Sequence, residues 1–569
     1  AMSGVTTGAA HENIAIGRSA LAGAAGTTGS NNIAIGVTAA DAITTGHTNI
    51  ALGMNALGTA TEGDENIAMG NGALGGGATT GNNNIALGTS AADALTSGDC
   101  NIALGVHALG ASTDGCDNIA IGRSALAASD GDGDDNIAIG RAAMGGADVS
   151  GDSNVAIGQA TMDALTSGAC NIAMGLNALG AATNNNDNVA IGKSALAATV
   201  NDGDCNIAIG SVALGGADVS GDHNIALGAN AADAITSGAC NIALGINALG
   251  QSTTGHCNIA IGKQAIGNAV TTGNSNIGMG VNAADGLTSG ACNIAIGESA
   301  LGSSTDGCFN IAIGSSALFA SADDGDNNIA IGNTAMGGGD VSGNSNVAIG
   351  NATMDALTTG IDNVAIGTNA LGAATTGNNN IAFGPSALGG VVTGTDNIAM
   401  GSNAADAMTS GGYNIAMGVN ALGEGQTGSN NIALGQLAIG TGVASGGDNI
   451  GIGRAAGRCI TSGACNISIG QGPMHGTTSI TGSNNIAIGV SAAHGITSGS
   501  SNISIGKCAG CTITTQNEVI NIGIGTTNTT ANSTCIAGGC VMAQQFTATS
   551  DCRSKKDIQD LPYGLDFIN

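Results

Sequence analysis

Tryptophan is absent from this 569-residue chain, and there are only 2 tyrosines and 5 phenylalanines. A thick core built on aromatic side chains is excluded. Ile, Leu, Val, Met and Ala must fill the interior, which implies a narrow cross-section. Basic residues are also scarce: 11 Lys and Arg against 40 Asp and Glu give a formal net charge of −29, and Arg553, Lys555 and Lys556 sit near the end. So acidic a surface repels phosphate backbones, so nucleic acid is not expected as a partner. No run of 18 apolar residues occurs, and no basic segment followed by a hydrophobic one opens the chain. Neither membrane insertion nor an intact signal peptide is expected.

What the chain has in quantity is glycine, 100 residues of it, and a five-residue phrase, Asn-Ile-Ala-Ile-Gly with close variants, that returns thirty times between Asn13 and Gly525. The phrase starts at Asn13, Asn32, Asn49, Asn66 and onward to Asn485, Asn502 and Asn521, at steps of 17 to 19 residues. That period is too short for a propeller blade or a helix pair and suits one turn of a parallel β-solenoid. Each coil can bury its apolar face only against the next, so length does not translate into separate globular domains. The expected fold is all-β, an elongated parallel β-solenoid (a β-roll) of about thirty coils. Stacked about 4.8 Å apart, they make a rod on the order of 140 Å long. The expected divisions are a lead-in over 1–12, the repeat shaft over 13–525, a transition over 526–549 and a distinct segment over 550–569.

Within the phrase, Ile14 and Ile16 flank Ala15, an order that recurs as Ile50-Ala51-Leu52 and Ile67-Ala68-Met69. Period-two alternation puts large residues on one face and Ala on the other. The large side chains are expected to form the dry core. The Ala column, varied only to Gly278, Gly451, Gly523, Ser468 and Ser504, would then be a flat outer face, either exposed or packed against another chain. Each phrase ends in Gly, where the strand must bend, and a second short unit such as Asn55-Ala56-Leu57 is expected to be the opposing strand. Thr, Ser, Asp and Gly close the coil as turn residues. The Asn heading each phrase is expected to form a stacked ladder, its amide bonding to the next coil and to nearby backbone. The steps also show an imperfect higher-order period near 70 residues, as expected from duplication of multi-coil blocks.

Fifteen cysteines are present, many directly before the repeated Asn. Cys240 and Cys257 occupy equivalent places in adjacent coils, close enough for a disulfide between coils, although unpaired thiols fit the odd total better. Cys508 and Cys511 with Cys535 and Cys540 are too loosely spaced to argue for zinc. The seven histidines read as surface residues. No metal site or cofactor is predicted, and no recurrent carboxylate pair in an aromatic-lined groove suggests a glycan-cleaving enzyme.

The last twenty residues differ. Ser550-Asp551-Cys552-Arg553-Ser554-Lys555 followed by Ile558 and Gly564-Leu565-Asp566-Phe567-Ile568 resembles the opening of the intramolecular chaperone domain of peptidase family S74, found at the C-termini of phage tail fibres and tailspikes. The resemblance implies a domain that trimerises a fibre, assists its folding and then cuts itself away, with Ser550 as nucleophile and Lys555 as its base. That would be one self-cleavage per chain rather than turnover, and only where the rest of the domain is attached, since the sequence ends at Asn569. The repeats resemble the head of trimeric autotransporter adhesins, whose parallel β-rolls associate in threes. Together the two resemblances imply a homotrimeric virion tail fibre that reaches from other virion or baseplate proteins to a host surface receptor or glycan. A cell-surface trimeric adhesin and an ice- or polysaccharide-binding solenoid are the alternatives.

Overall fold

A computed structural model describes residues 11–23, 28–129, 133–200, 203–321, 325–441, 445–476 and 478–536. Each repeat contributes one three-residue strand, from β1 (Ile14–Ile16) and β2 (Ile33–Ile35) to β30 (Ile520–Ile522) and β31 (Thr534–Ile536). Every strand pairs in parallel with the one before and the one after, in register, so that Ile14, Ala15 and Ile16 lie beside Ile33, Ala34 and Ile35. The result is one elongated parallel β-solenoid whose single continuous sheet runs the length of the described shaft. Pairing continues beyond the last regular repeat, because Thr534–Ile536 adds to Ile520–Ile522.

The coil headed by Asn241 shows how a repeat is built. Ile242–Leu244 (β14) is extended, and Gly245 then turns the chain at φ 135°. A Cβ on Gly245 would stand 2.5 Å from the carbonyl oxygen of Gly262 in the next coil, so both the backbone angle and the rung spacing demand glycine there. The Asn247-Ala248-Leu249 unit that follows is not the opposing strand expected from its apolar residues. Asn247 and Leu249 adopt φ 55° and 51°, alternating with Ala248, so this leg is a chain of turns. Such left-handed residues each cost roughly 1–2 kcal/mol. What holds them is bonding to the neighbouring coils: Asn247 donates to the carbonyl of Ala229 at 3.1 Å, and Leu249 to that of Ala265 at 3.0 Å.

The strand faces are the reverse of the sequence expectation. Ala243 and its equivalents point inward and are fully buried, whereas the flanking large residues point outward. The core consists of the strand Ala column, the Ala-Leu pairs of the turn leg (Ala248 and Leu249) and a third column from the closing turn, exemplified by Ile43, Leu95, Leu165 and Ile235. The reason is space: with so few residues per coil, the turn leg lies against the strand, and its Leu fills the volume that a second large strand residue would need.

The Asn ladder is present and satisfies three kinds of group at once. The amide of Asn241 donates to the Gly255 carbonyl in its own closing turn at 2.8 Å and to the Asn224 side-chain oxygen at 3.0 Å. Its own oxygen accepts the backbone N–H of Asn258 at 2.8 Å. The ladder ends one coil earlier than the phrase count indicates. The N–H bonding to the Asn502 side chain is that of Val519, and Asn521 takes the inward Ala position beside Ser504. Gly523 therefore belongs to the bend column and not to the Ala column. A 17-residue step from Asn502 keeps Ile520 and Ile522 in register with Ile503 and Ile505, and the buried Asn521 amide is satisfied by both backbone groups of Asn528.

Two substitutions test this construction. Ala243→Leu is expected to destabilise the shaft by about 1–3 kcal/mol through overpacking. Asn241→Ala leaves the Gly255 carbonyl of its own coil and the Asn258 N–H of the next coil unpaired, each costing about 1–3 kcal/mol. Hydrogen exchange of residues 224–262 should rise in both. Unchanged protection in Ala243→Leu would mean that this face is open.

Candidate functional site

Ser550 and Lys555 lie outside the described residues, as do Cys540, residues 1–10 of the lead-in over 1–12 and the chaperone-like segment. Among the described residues no three His, Cys, Asp or Glu side chains gather as metal ligands, and no helix is long and apolar enough to cross a membrane. Cys240 and Cys257 are exposed free thiols in adjacent coils. In-register rungs carry parallel Cα–Cβ directions about 4.8 Å apart, whereas a disulfide draws its Cβ atoms to about 3.8 Å.

The inverted strand makes the outside of the sheet apolar. Two outward columns, the first and third strand positions, carry Ile, Val, Leu, Met or Phe from Ile14 to Ile522. Many members are substantially open: Ile172 and Met174 are 41% and 39% exposed, Ile381 and Phe383 42% and 50%. The residue after the bend glycine extends this surface in places, through Met54, Val106, Leu176, Ile246, Val281, Val419 and Val490. A stripe two side chains wide and on the order of 140 Å long covers roughly 1,000 Å², more than the few hundred Å² that a single soluble chain usually leaves open.

A second feature lies on the turn leg, five residues after the bend glycine. From Ala22 to Gly440 this column holds only Gly, Ala or Asp, except for Phe319. The aspartates recur with the block period: Asp93, Asp163 and Asp233 are 70 residues apart. Burial pushes the carboxyls of Asp41, Asp233, Asp285 and Asp406 upward, against the hydrogen bonds that they accept. In the last coils the column changes to Arg458, His475, His494 and Cys511. An Arg458 Nη1 stands 3.3 Å from His475 Nε2, and the two imidazole centroids are 5.9 Å apart. Burial, and then the positive charge of Arg458, His494 and Arg454, holds the His475 imidazole below its ordinary range. Sequence reading placed these histidines singly on the surface. Aligning every coil on its glycine would have shown that they stack.

Compared with known proteins, the chain matches no family model, no curated protein and no solved structure.

The two stretches of this column should respond to acid in opposite directions. The stability that His475 contributes as a neutral group is present above pH 6.5 and is lost as pH falls through its lowered folded-state value. Asp233 and Asp285 have folded-state values above 3.8, so acidification through that window stabilises their coils. Hydrogen exchange, corrected for intrinsic rates, should show residues 471–496 loosening between about pH 7 and 5. His475→Gln should abolish that loosening, and the same loosening in the variant would refute the assignment.

Proposed function

We propose that this chain is the shaft of a homotrimeric virion tail fibre that spans the distance to a host surface and takes part in attachment. The observation that carries this reading is the aliphatic outer face. Three parallel copies meeting on a common axis would each lay that stripe between the other two, and its rough 1,000 Å² per chain matches what a stable interface buries on one partner, about 800 Å². The fold supplies length and stiffness, as a fibre or adhesin requires. The resemblance to autotransporter heads supports the number three, and the S74-like segment after residue 549 supports a viral fibre over a cellular adhesin. The acidic turns remain outside, where they keep the particle soluble.

This arrangement also answers a folding problem. Coils so alike invite slips of a whole repeat, and long parallel pairings form slowly. A trimerising chaperone at one end would align three chains before the shaft zips. In this reading the shaft performs no sustained catalysis. Where the rest of the chaperone domain is attached, Ser550 cuts the chain once, its hydroxyl proton passing to Lys555.

Sedimentation equilibrium of the shaft is expected to give about three times the 53.8 kDa chain mass. Placing Asp at both Leu244 and Ile261 on the outer face should shift the assembly toward single chains with the β-signal intact. A monomeric parent would overturn the reading, and a dimer would overturn the threefold arrangement. For self-cleavage, Ser550→Ala in a chain carrying the complete chaperone domain should leave it uncut, and continued cutting would remove Ser550 from the role.

A further inference from the structure

We propose that the groove formed by Arg454, Arg458, His475 and His494 is a binding site for one oxyanion group, a carboxylate, sulfate or phosphate, either free in solution or borne on a short acidic glycan. The site belongs to a single chain and does not depend on the fibre reading.

The groove is a cavity of about 400 Å³ spanning four consecutive coils, lined by those four residues together with Gln436, Gln471 and Ser491. A second cavity of about 520 Å³ adjoins it, sharing Arg458 and His475 and adding Thr441 and Thr461. Among the described residues, no carboxylate lines either one. In a chain of net charge −29, the guanidiniums of Arg454 and Arg458 thus gather beside two imidazoles with no carboxylate among the described lining residues, and Arg458, His475 and His494 stand in a column that carries Asp in other coils. Two guanidiniums held together, joined by a further positive charge whenever an imidazole takes up a proton, are unfavourable unless an anion completes the set.

The donors themselves are unfinished. Among the described residues, Arg458 Nε is buried and has no hydrogen-bond partner, and Arg458 Nη1 meets only the imidazole of His475. A guanidinium presents its N–H groups as a planar fork that matches two oxygens of one oxyanion. Arg454 is exposed at the rim, where it can meet the ligand first. The neutral amides of Gln436 and Gln471 and the Ser491 hydroxyl can donate to the remaining oxygens. Around this patch the shaft is acidic, and its field opposes long polyanions while leaving one screened group free to enter. The ligand class is therefore a small anion or a short sugar bearing one acidic group, not a nucleic acid.

Titration calorimetry on the whole chain, with inorganic phosphate, a glucuronate-containing disaccharide and its neutral glucose counterpart as probes, tests the site. Saturable binding of phosphate or of the acidic disaccharide, with none of the neutral sugar, is expected. Phosphate alone would identify a free-anion site, and tighter binding of the disaccharide a glycan site. Arg458→Gln should weaken binding at least tenfold. Arg454→Gln, a rim change that leaves the coil packing alone, should weaken it severalfold and decides the matter if Arg458→Gln fails to fold. Arg141→Gln, far along the shaft, should change nothing. Affinity should also fall from about pH 5.5 to about 8 as His475 loses its proton, the charged or titratable groups facing it being Arg454, Arg458, His494 and, in the adjoining cavity, Cys459. Absence of binding by either anion, equal binding in the two variants and the parent, or equal binding of the neutral sugar would overturn the proposal.

Discussion

The side-chain amide of the repeated asparagine is the interaction on which the coil depends. It ties the closing turn of its own repeat to the strand and accepts the backbone N–H of the next repeat. One residue type thereby sets both the circumference of a coil and its register on the neighbour. Asn13 begins this chain of bonds and Val519, with only its backbone N–H, ends it. Where the closing turn gains or loses a residue, as between the 17- and 18-residue steps, the bond to the turn carbonyl is kept, the extra residue lies within the span that the bond closes, and the bonded glycine keeps its place ahead of the next Asn. Asn32 reaches Gly46, 14 residues on, and Asn66 reaches Gly81, 15 residues on.

With that register imposed, the bend glycines follow from the rung spacing, and the small interior follows from the short circumference. A coil this tight has room for one methyl from the strand, an Ala-Leu pair from the turn leg and one further aliphatic side chain from the closing turn. The larger strand residues are left on the outside, where they create an aliphatic face that a single chain does not cover. The same geometry stacks every other position into columns, so three successive substitutions five residues after the glycine can assemble a basic groove. In a solenoid, local sequence change becomes a surface feature without any change of fold.

A good deal of this was legible beforehand because it depends on period alone. Thirty returns of one phrase imply stacked coils, parallel pairing and a bend at the invariant glycine. The recurrence of Asn at one position implies a bonded ladder, because identical amides brought to one rung spacing can each act as donor and acceptor. The sense of the strand was not legible. Ile-Ala-Ile alternates identically whether Ile or Ala faces inward, and only the approach of the turn leg to the sheet decides between them. Nor was the conformation of that leg, since Asn247, Ala248 and Leu249 read as a short apolar strand until their backbone angles alternate in sign. The final repeat misled for a related reason: Asn521 begins a copy of the phrase by letter, while the ladder bond and the Ile pairing assign its place to Val519.

The sequence by itself therefore determined the repeat, the parallel solenoid, the glycine bends and the Asn ladder, because each is a property of one position compared with its own copies. Which face is buried, which turns carry left-handed residues and which side chains share a groove were decided only by the tertiary structure. Those outcomes depend on distances between different positions around the coil, and a one-dimensional period contains no such distance.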